Sequence, residues 1–157
     1  MAQSFEIHVT GLSGTDEIFE EVKIGCQDSM AGRFAEICRE NIGTESGTNR
    51  PNHWPELSPR YSKRVGRKEA TLFFRGELFN AIQIETGNSE FASVLIDPSS
   101  PAAQYASAHQ DGNPTGNLPR RAFFPMDENG DLTEYAKAEC VEVAQTTLNR
   151  ILEQNAR

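Results

Sequence analysis

Residues 4–10 alternate Phe5, Ile7 and Val9 with Glu6, His8 and Thr10, the two-residue period that predicts a half-buried strand with His8 on its polar side. Gly11 and Gly14 predict a turn after it. Ser13 with Asp16 three residues on resembles a helix start, Asp being a short substitute for the usual Glu or Gln. From about Thr15 to Asn41 the apolar positions Phe19, Val22, Cys26, Met30, Phe34, Ile37 and Cys38 step by three or four, which predicts one long helix with a single buried side. Gly25 and Gly32 inside it each cost about 1 kcal/mol relative to Ala and mark a bend or a close packing point. Gly43 stands where the helix should end.

The pattern then lapses. Gly43 to Ala70 carries Pro51, Pro55 and Pro59 and sustains no period, an uncommon length for a structureless loop inside a compact domain. Trp54, Leu57 and Tyr61, three and four apart, either anchor one face of a short helix starting near Ser58 or pin a surface loop to the body. Beyond it, Thr71–Phe74 and Leu78–Glu85 are apolar-rich around Arg75, Gly76 and Glu77, which fits a helical turn or a bent strand. Ala81, Ile82 and Ile84, the turn at Thr86, Gly87 and Asn88, and then Phe91–Ile96 predict a β-hairpin, stopped by Asp97 and Pro98. In the stretch Tyr105–Pro125, Tyr105 and Ala106 read as the end of an extended piece. Asp111, Gly112, Asn113, Pro114, Gly116 and Asn117 read as a reversal, and Pro119 to Pro125 as a short apolar run in which Arg120 and Arg121 sit beside Phe123 and Phe124. Asp131 and Glu134 form a capping pattern for a last helix with Tyr135, Cys140, Val141, Val143, Ala144, Leu148, Ile151 and Leu152 as its stripe, ending near Gln154. The predicted fold is a single α+β domain. A mainly antiparallel sheet, built from the first strand, the hairpin and the segments near Tyr105 and Phe123, packs against the long N-terminal helix and the C-terminal helix, with an extended loop or arm at about 43–70.

Composition changes this picture in two ways. A chain of 157 residues holds one core, and no apolar run approaches the roughly 20 residues that cross a bilayer. Residues 1–6 lack the basic start and apolar stretch of a signal peptide, so synthesis in the cytosol is expected. Three cysteines without CxxC spacing, Cys26, Cys38 and Cys140, read as buried thiols. The net charge of −8 disfavours a general nucleic-acid binder, yet residues 50–75 hold seven basic residues against Glu56 and Glu69. That window is +5 and the remainder −13. A basic segment on an acidic body suits nucleic acid, or the acidic face of a neighbouring copy.

The candidate chemistries are weak. Asp127, Asn129 and Asp131 open like a calcium loop, but Leu132 replaces the required Gly and Ala138 the closing Glu, so the segment reads as a turn. His8, His53 and His109 share no ligand spacing. Ser107, His109 and Asp111 alternate along the chain, but neighbours on one strand face do not meet as a catalytic triad, and there is no nucleophile elbow. The glycines match neither common phosphate loop. No cofactor, no metal and no enzymatic activity are expected.

Taken in order, Trp54-x-x-Leu57-Ser58-x-x-Tyr61, then Leu72 to Leu78 around Gly76, then Tyr105-Ala106-x-x-His109-Gln110-x-Gly112, then Pro119-x-Arg121-x-Phe123-Phe124 resemble the bacteriophage virion morphogenesis family, the tail completion proteins, of which phage Mu has a member. The likeness spans nearly the whole chain. It departs at Phe74-Arg75-Gly76-Glu77-Leu78, where the family has Asp-Thr-Gly before the Leu, and before Trp54, where the family's Asp-Gly is missing. The resemblance implies a structural virion protein of the neck, assembled in the bacterial cytoplasm, that finishes the tail and joins it to the head. A ring is implied, a hexamer favoured, with genomic DNA passing through its lumen unread, and tail tube, terminator and head connector proteins as partners. The alternatives are a tail terminator capping the tube, or a nucleic-acid-binding module using the 50–75 segment. Expected contact residues are Trp54, Arg60, Tyr61, Lys63, Arg64 and Arg67 on the arm and His109, Gln110, Arg120, Arg121, Phe123 and Phe124 beyond it, with a core role equally open for the two Phe.

Overall fold

A computed structural model of the protein describes residues 4–9, 17–43, 49–68, 71–73, 75–86 and 90–156. The expected turn at Gly11 and Gly14, the Ser13–Asp16 helix start and the hairpin turn at Gly87 and Asn88 lie outside them.

Strand β1 (Ser4–Ile7) and the hairpin strands β2 (Ile82–Glu85) and β3 (Ala92–Ile96) form an antiparallel sheet in the order β1-β3-β2. Phe5 pairs with Val94, Ile7 with Ala92 and Ile84 with Val94. β3 is the central strand and nearly all of it is buried, whereas β2 exposes all but Ile82. Helix α1 (Glu17–Gly43) lies against the sheet, where the Phe34 ring stacks on Phe5 at 4.3 Å and meets Phe124 at 5.7 Å. Helix α5 (Glu134–Asn155) packs along α1 in the opposite direction. Tyr135 and Glu139 meet Arg33, Cys140 faces Met30, Thr147 and Ile151 face Gly25, and Asn155 reaches Glu21. Gly25 is the packing point: a Cβ there would stand 2.9 Å from Ile151 Cδ1. Arg33 Nε donates to Glu139 at 2.7 Å and its Nη1 to Glu40 at 2.9 Å, tying the helices together at the edge of their seam. All three cysteines are buried thiols within these helices.

The α+β class with its antiparallel sheet and two flanking helices matches the expectation, but two segments assigned to the sheet do not belong to it. Pro101–Gln104 is a 3-10 turn and Ala106–Asp111 is helix α4, so Tyr105 is a helix junction rather than the end of a strand. Ser107, His109 and Asp111 therefore do not share a strand face. Residues 121–125 are buried without strand pairing, because side chains take over their backbone groups. Gln110 Oε1 accepts from Phe123 N and Phe124 N, both at 3.0 Å, Asn52 Oδ1 accepts from Ala122 N, and Asn41 Nδ2 donates to Phe123 O at 2.9 Å. The last helix is capped by Thr133, whose hydroxyl accepts from Ala136 N, and not by Asp131. Asp127 makes the expected turn: its Oδ1 accepts from Asn129 N and Asp131 N.

The 49–68 segment divides at Ser58. Before it, Trp54 is buried under the Arg50 guanidinium, 3.6 Å from the ring centre, and Asn52 is bonded to Arg120 O and Ala122 N. After it, helix α2 (Pro59–Val65) is capped by the Ser58 hydroxyl, ends at Gly66 with φ 74°, and buries none of its residues. A single turn of helix, α3 (Glu77–Asn80), follows the segment and leads into β2.

Candidate functional site

The C-terminal end of α1 supports a cleft. Leu72 N donates to Ile42 O and Arg50 Nε to Asn41 O, so both the start of the arm and the strand of chain that leaves it are tied to the last turn of α1. Leu57 N donates to Lys68 O and closes the base of the arm. On the other side α4 and the 118–121 segment run together through Arg121 N to His109 O at 2.7 Å. Between the two lies an open cavity of about 710 Å³.

Its walls are built from opposed chemistries. Leu57, Tyr61, Leu72 and Pro119 give it apolar surface, while Arg67, Thr71, His109 and Arg121 bring polar groups into it. Arg121 is only 7% exposed and Thr71 9%. Arg121 Nη2 makes one long bond, 3.4 Å to Pro55 O, and its Nε has no hydrogen-bond partner among the described residues. Thr71 Oγ1, Arg67 Nε and His109 Nδ1 are also buried and without a partner among them. Four orphaned polar atoms around one cavity are unusual, since buried polar groups in folded proteins are nearly all paired. Burial lowers the pKa of the Arg121 guanidinium, with the nearby Tyr61 acting the other way. Arginine still carries its charge at neutral pH. Burial first, and then the Arg121 charge, pushes the His109 imidazole below its usual range, so it is neutral there. Tyr105 stands edge-on to His109 at 5.8 Å, and its hydroxyl donates to Glu77 at the rim. Burial and the Glu77 carboxylate raise its pKa.

A cavity with fixed guanidinium groups, a hydroxyl and a neutral imidazole beside apolar walls is suited to an acceptor-rich group, a carboxylate above all. No cluster of His, Cys, Asp and Glu among the described residues has the arrangement of a metal site. No described helix is long and apolar enough to cross a membrane.

All of the residues singled out in the sequence but Arg120 fall into three sets. Tyr61, Arg67, His109 and Arg121 line the cleft together. Arg60, Lys63 and Arg64 are exposed on α2 beside it, with the Arg64 guanidinium 4.7 Å over the Tyr61 ring and none of the three in an ion pair among the described residues. Trp54, Gln110, Phe123 and Phe124 are buried within the fold and present no contact surface. For the two Phe the core role is the one observed. Arg120 is turned inward, its Nε donating to Gln110 O and its Nη2 to Met126 O. Thr71 and Tyr105 complete the cleft without having been picked out as contacts. Tyr105 opens the turn-rich stretch 105–125, whereas nothing local marks Thr71.

Comparison of the chain with family models, with curated proteins and with solved structures finds no match in any of the three.

Proposed function

We propose that this chain is a structural virion protein that completes a phage tail and joins it to the head, working as a ring, preferably of six copies, around the DNA channel. The observation that carries the reading is the convergence at the cleft. Leu57, Ser58, Tyr61, Leu72, Tyr105, His109, Pro119 and Arg121, scattered over more than sixty positions and all within the segments that resemble tail completion proteins, border one cavity. Trp54, Gln110, Phe123 and Phe124 from the same segments are buried in the body of the fold, where Gln110 holds the backbone of the two Phe. A joining protein needs a recognition surface on a rigid base, and an exposed basic helix beside a donor-lined cleft supplies one.

The test is loss of the chain from particles that contain it, followed by electron microscopy of the lysate. Filled heads beside unattached tails, restored to joined particles by adding the purified protein, are expected. Tails of abnormal length would assign the chain to the tail terminator instead, and normal joined particles would overturn the reading.

A further inference from the structure

The cleft and the opposite end of the molecule are complementary. The α1 helix of 27 residues is about 40 Å long at 1.5 Å per residue. Its C-terminal end carries the cleft, through the bonds from Leu72 and Arg50 to its last turn. Its N-terminal end carries Glu17, Glu20 and Glu21, all exposed, together with Ile18 and Phe19, which are 40% and 38% exposed. Because α5 runs antiparallel and Asn155 reaches Glu21, Leu152 at 48% exposure and Glu153 stand at that same end. One end therefore offers carboxylates flanking bare apolar side chains. The other offers unpartnered donors flanking apolar walls, and an entire molecule separates them.

We infer that the cleft is filled by the start of α1 from a second copy of this chain, with a carboxylate of Glu17 or Glu20 on Arg67, Thr71 and Arg121, and Phe19 against the Leu57, Leu72 and Tyr61 wall. Made head to tail, this contact is heterologous and repeats into a ring or a filament; made reciprocally between two antiparallel copies it closes a two-fold dimer, and a wild-type mass that stops at the dimer separates the second arrangement from the first. The exposed cations of α2, Arg60, Lys63 and Arg64, lie beside the cleft and add attraction for the acidic end that approaches. Arg121 Nε and Thr71 Oγ1 are held inside the fold without a hydrogen-bond partner among the described residues, which is the condition a neighbour's acceptor would relieve. The inference rests on the assembly reading above and gives it a named contact.

The experiment measures mass by light scattering after size exclusion, from micromolar to millimolar concentration, for the wild type, for Arg67→Glu, for Glu17→Gln with Glu20→Gln, and for an equimolar mixture of the two variants. These are side chains at or near the surface, and unchanged thermal unfolding shows that each variant folds. The wild type is expected to form species larger than a dimer, and each variant to associate about ten- to a hundredfold more weakly. The mixture is diagnostic. Each variant keeps one sound surface, so a head-to-tail contact yields heterodimers and stops there. Variants that assemble like the wild type, a mixture that stays monomeric, or a wild type that is monomeric throughout would overturn the contact. In the last case the carboxylate that fills the cleft belongs to another protein. The tail-joining reading is judged separately, by the particle experiment, and survives any of these results.

Discussion

His109 is the residue whose behaviour follows most directly from its surroundings. Burial and the Arg121 charge hold its imidazole below the ordinary value of about 6.5, so the unfolded chain binds this proton more readily than the folded one. The stability it confers is complete above about pH 6.5 and is lost progressively as the pH falls from there towards its depressed folded value. Melting temperature followed from about pH 8 down to about pH 5 should drop less in His109→Gln than in the wild type, and equal drops would remove His109 as the cause. Gln110 shows the same dependence on place. Its Oε1 serves two buried N–H groups, so Gln110→Leu leaves both without a partner and should cost about 3 kcal/mol in urea unfolding; a loss below about 1 kcal/mol would mean that the segment finds other acceptors. Gly112 has φ 78° and ψ 166°, a region closed to side chains, and a Cβ there would lie 2.9 Å from Arg120 N, a backbone atom that cannot swing away. Gly112→Ala is expected to destabilise by at least ~2 kcal/mol on the same assay.

At the scale of elements, the arm is two structures with different duties. Its base is part of the body: Trp54→Ala should cost about 3–5 kcal/mol, because it empties a buried site and strips the Arg50 guanidinium of the ring it covers. Burial in that stack lowers the Arg50 pKa to about 10, which leaves it charged at neutral pH. The tip, α2, buries nothing. Reversing Arg60, Lys63 and Arg64 to Glu should therefore shift stability by no more than about 0.5 kcal/mol while weakening any contact made by the arm, and a large loss of stability would show that α2 holds the fold together. Removing the whole segment from Arg50 to Lys68 would not separate these duties, since Trp54 and Asn52 would go with it.

For the whole molecule, the antiparallel α1–α5 pair places unlike surfaces at its two ends, and the uneven charge of the sequence acquires a direction. The basic residues of 50–75 gather at the cleft end, and the first turn of α1 at the far end is acidic. With the contact inferred above, the expected partner is a neighbour of the same kind, and nucleic acid would repel the acidic remainder. Fluorescence anisotropy with a labelled duplex should show no binding that rises as salt is lowered. Affinity falling steeply with salt would instead assign α2 to phosphate contacts.

Much of this architecture was legible in short-range pattern. The step of three and four along 19–38 is α1, the alternation at Phe5 and Ile7 and the hairpin residues are the sheet, with Val9 beyond the end of β1, and Ser58 before Pro59 is a helix start. Such features depend on neighbours a few positions apart, which the chain order itself specifies. The segments near Tyr105 and Phe123 fall outside the sheet that the sequence predicts: three alternating polar residues imitate a strand, while the deciding pair, buried Ala106 and Gln110 one helical turn apart, is faint. The apolar run at Phe123 is kept out of any sheet by Asn41, Asn52 and Gln110, whose positions in space no local pattern records. The cleft belongs to the same category. Sequence alone determined which residues carry charge, rings and turns; tertiary structure alone decided that Arg67, Thr71, His109 and Arg121 meet around one cavity with donors left over, because hydrogen-bond satisfaction is settled by contacts between residues far apart in the chain.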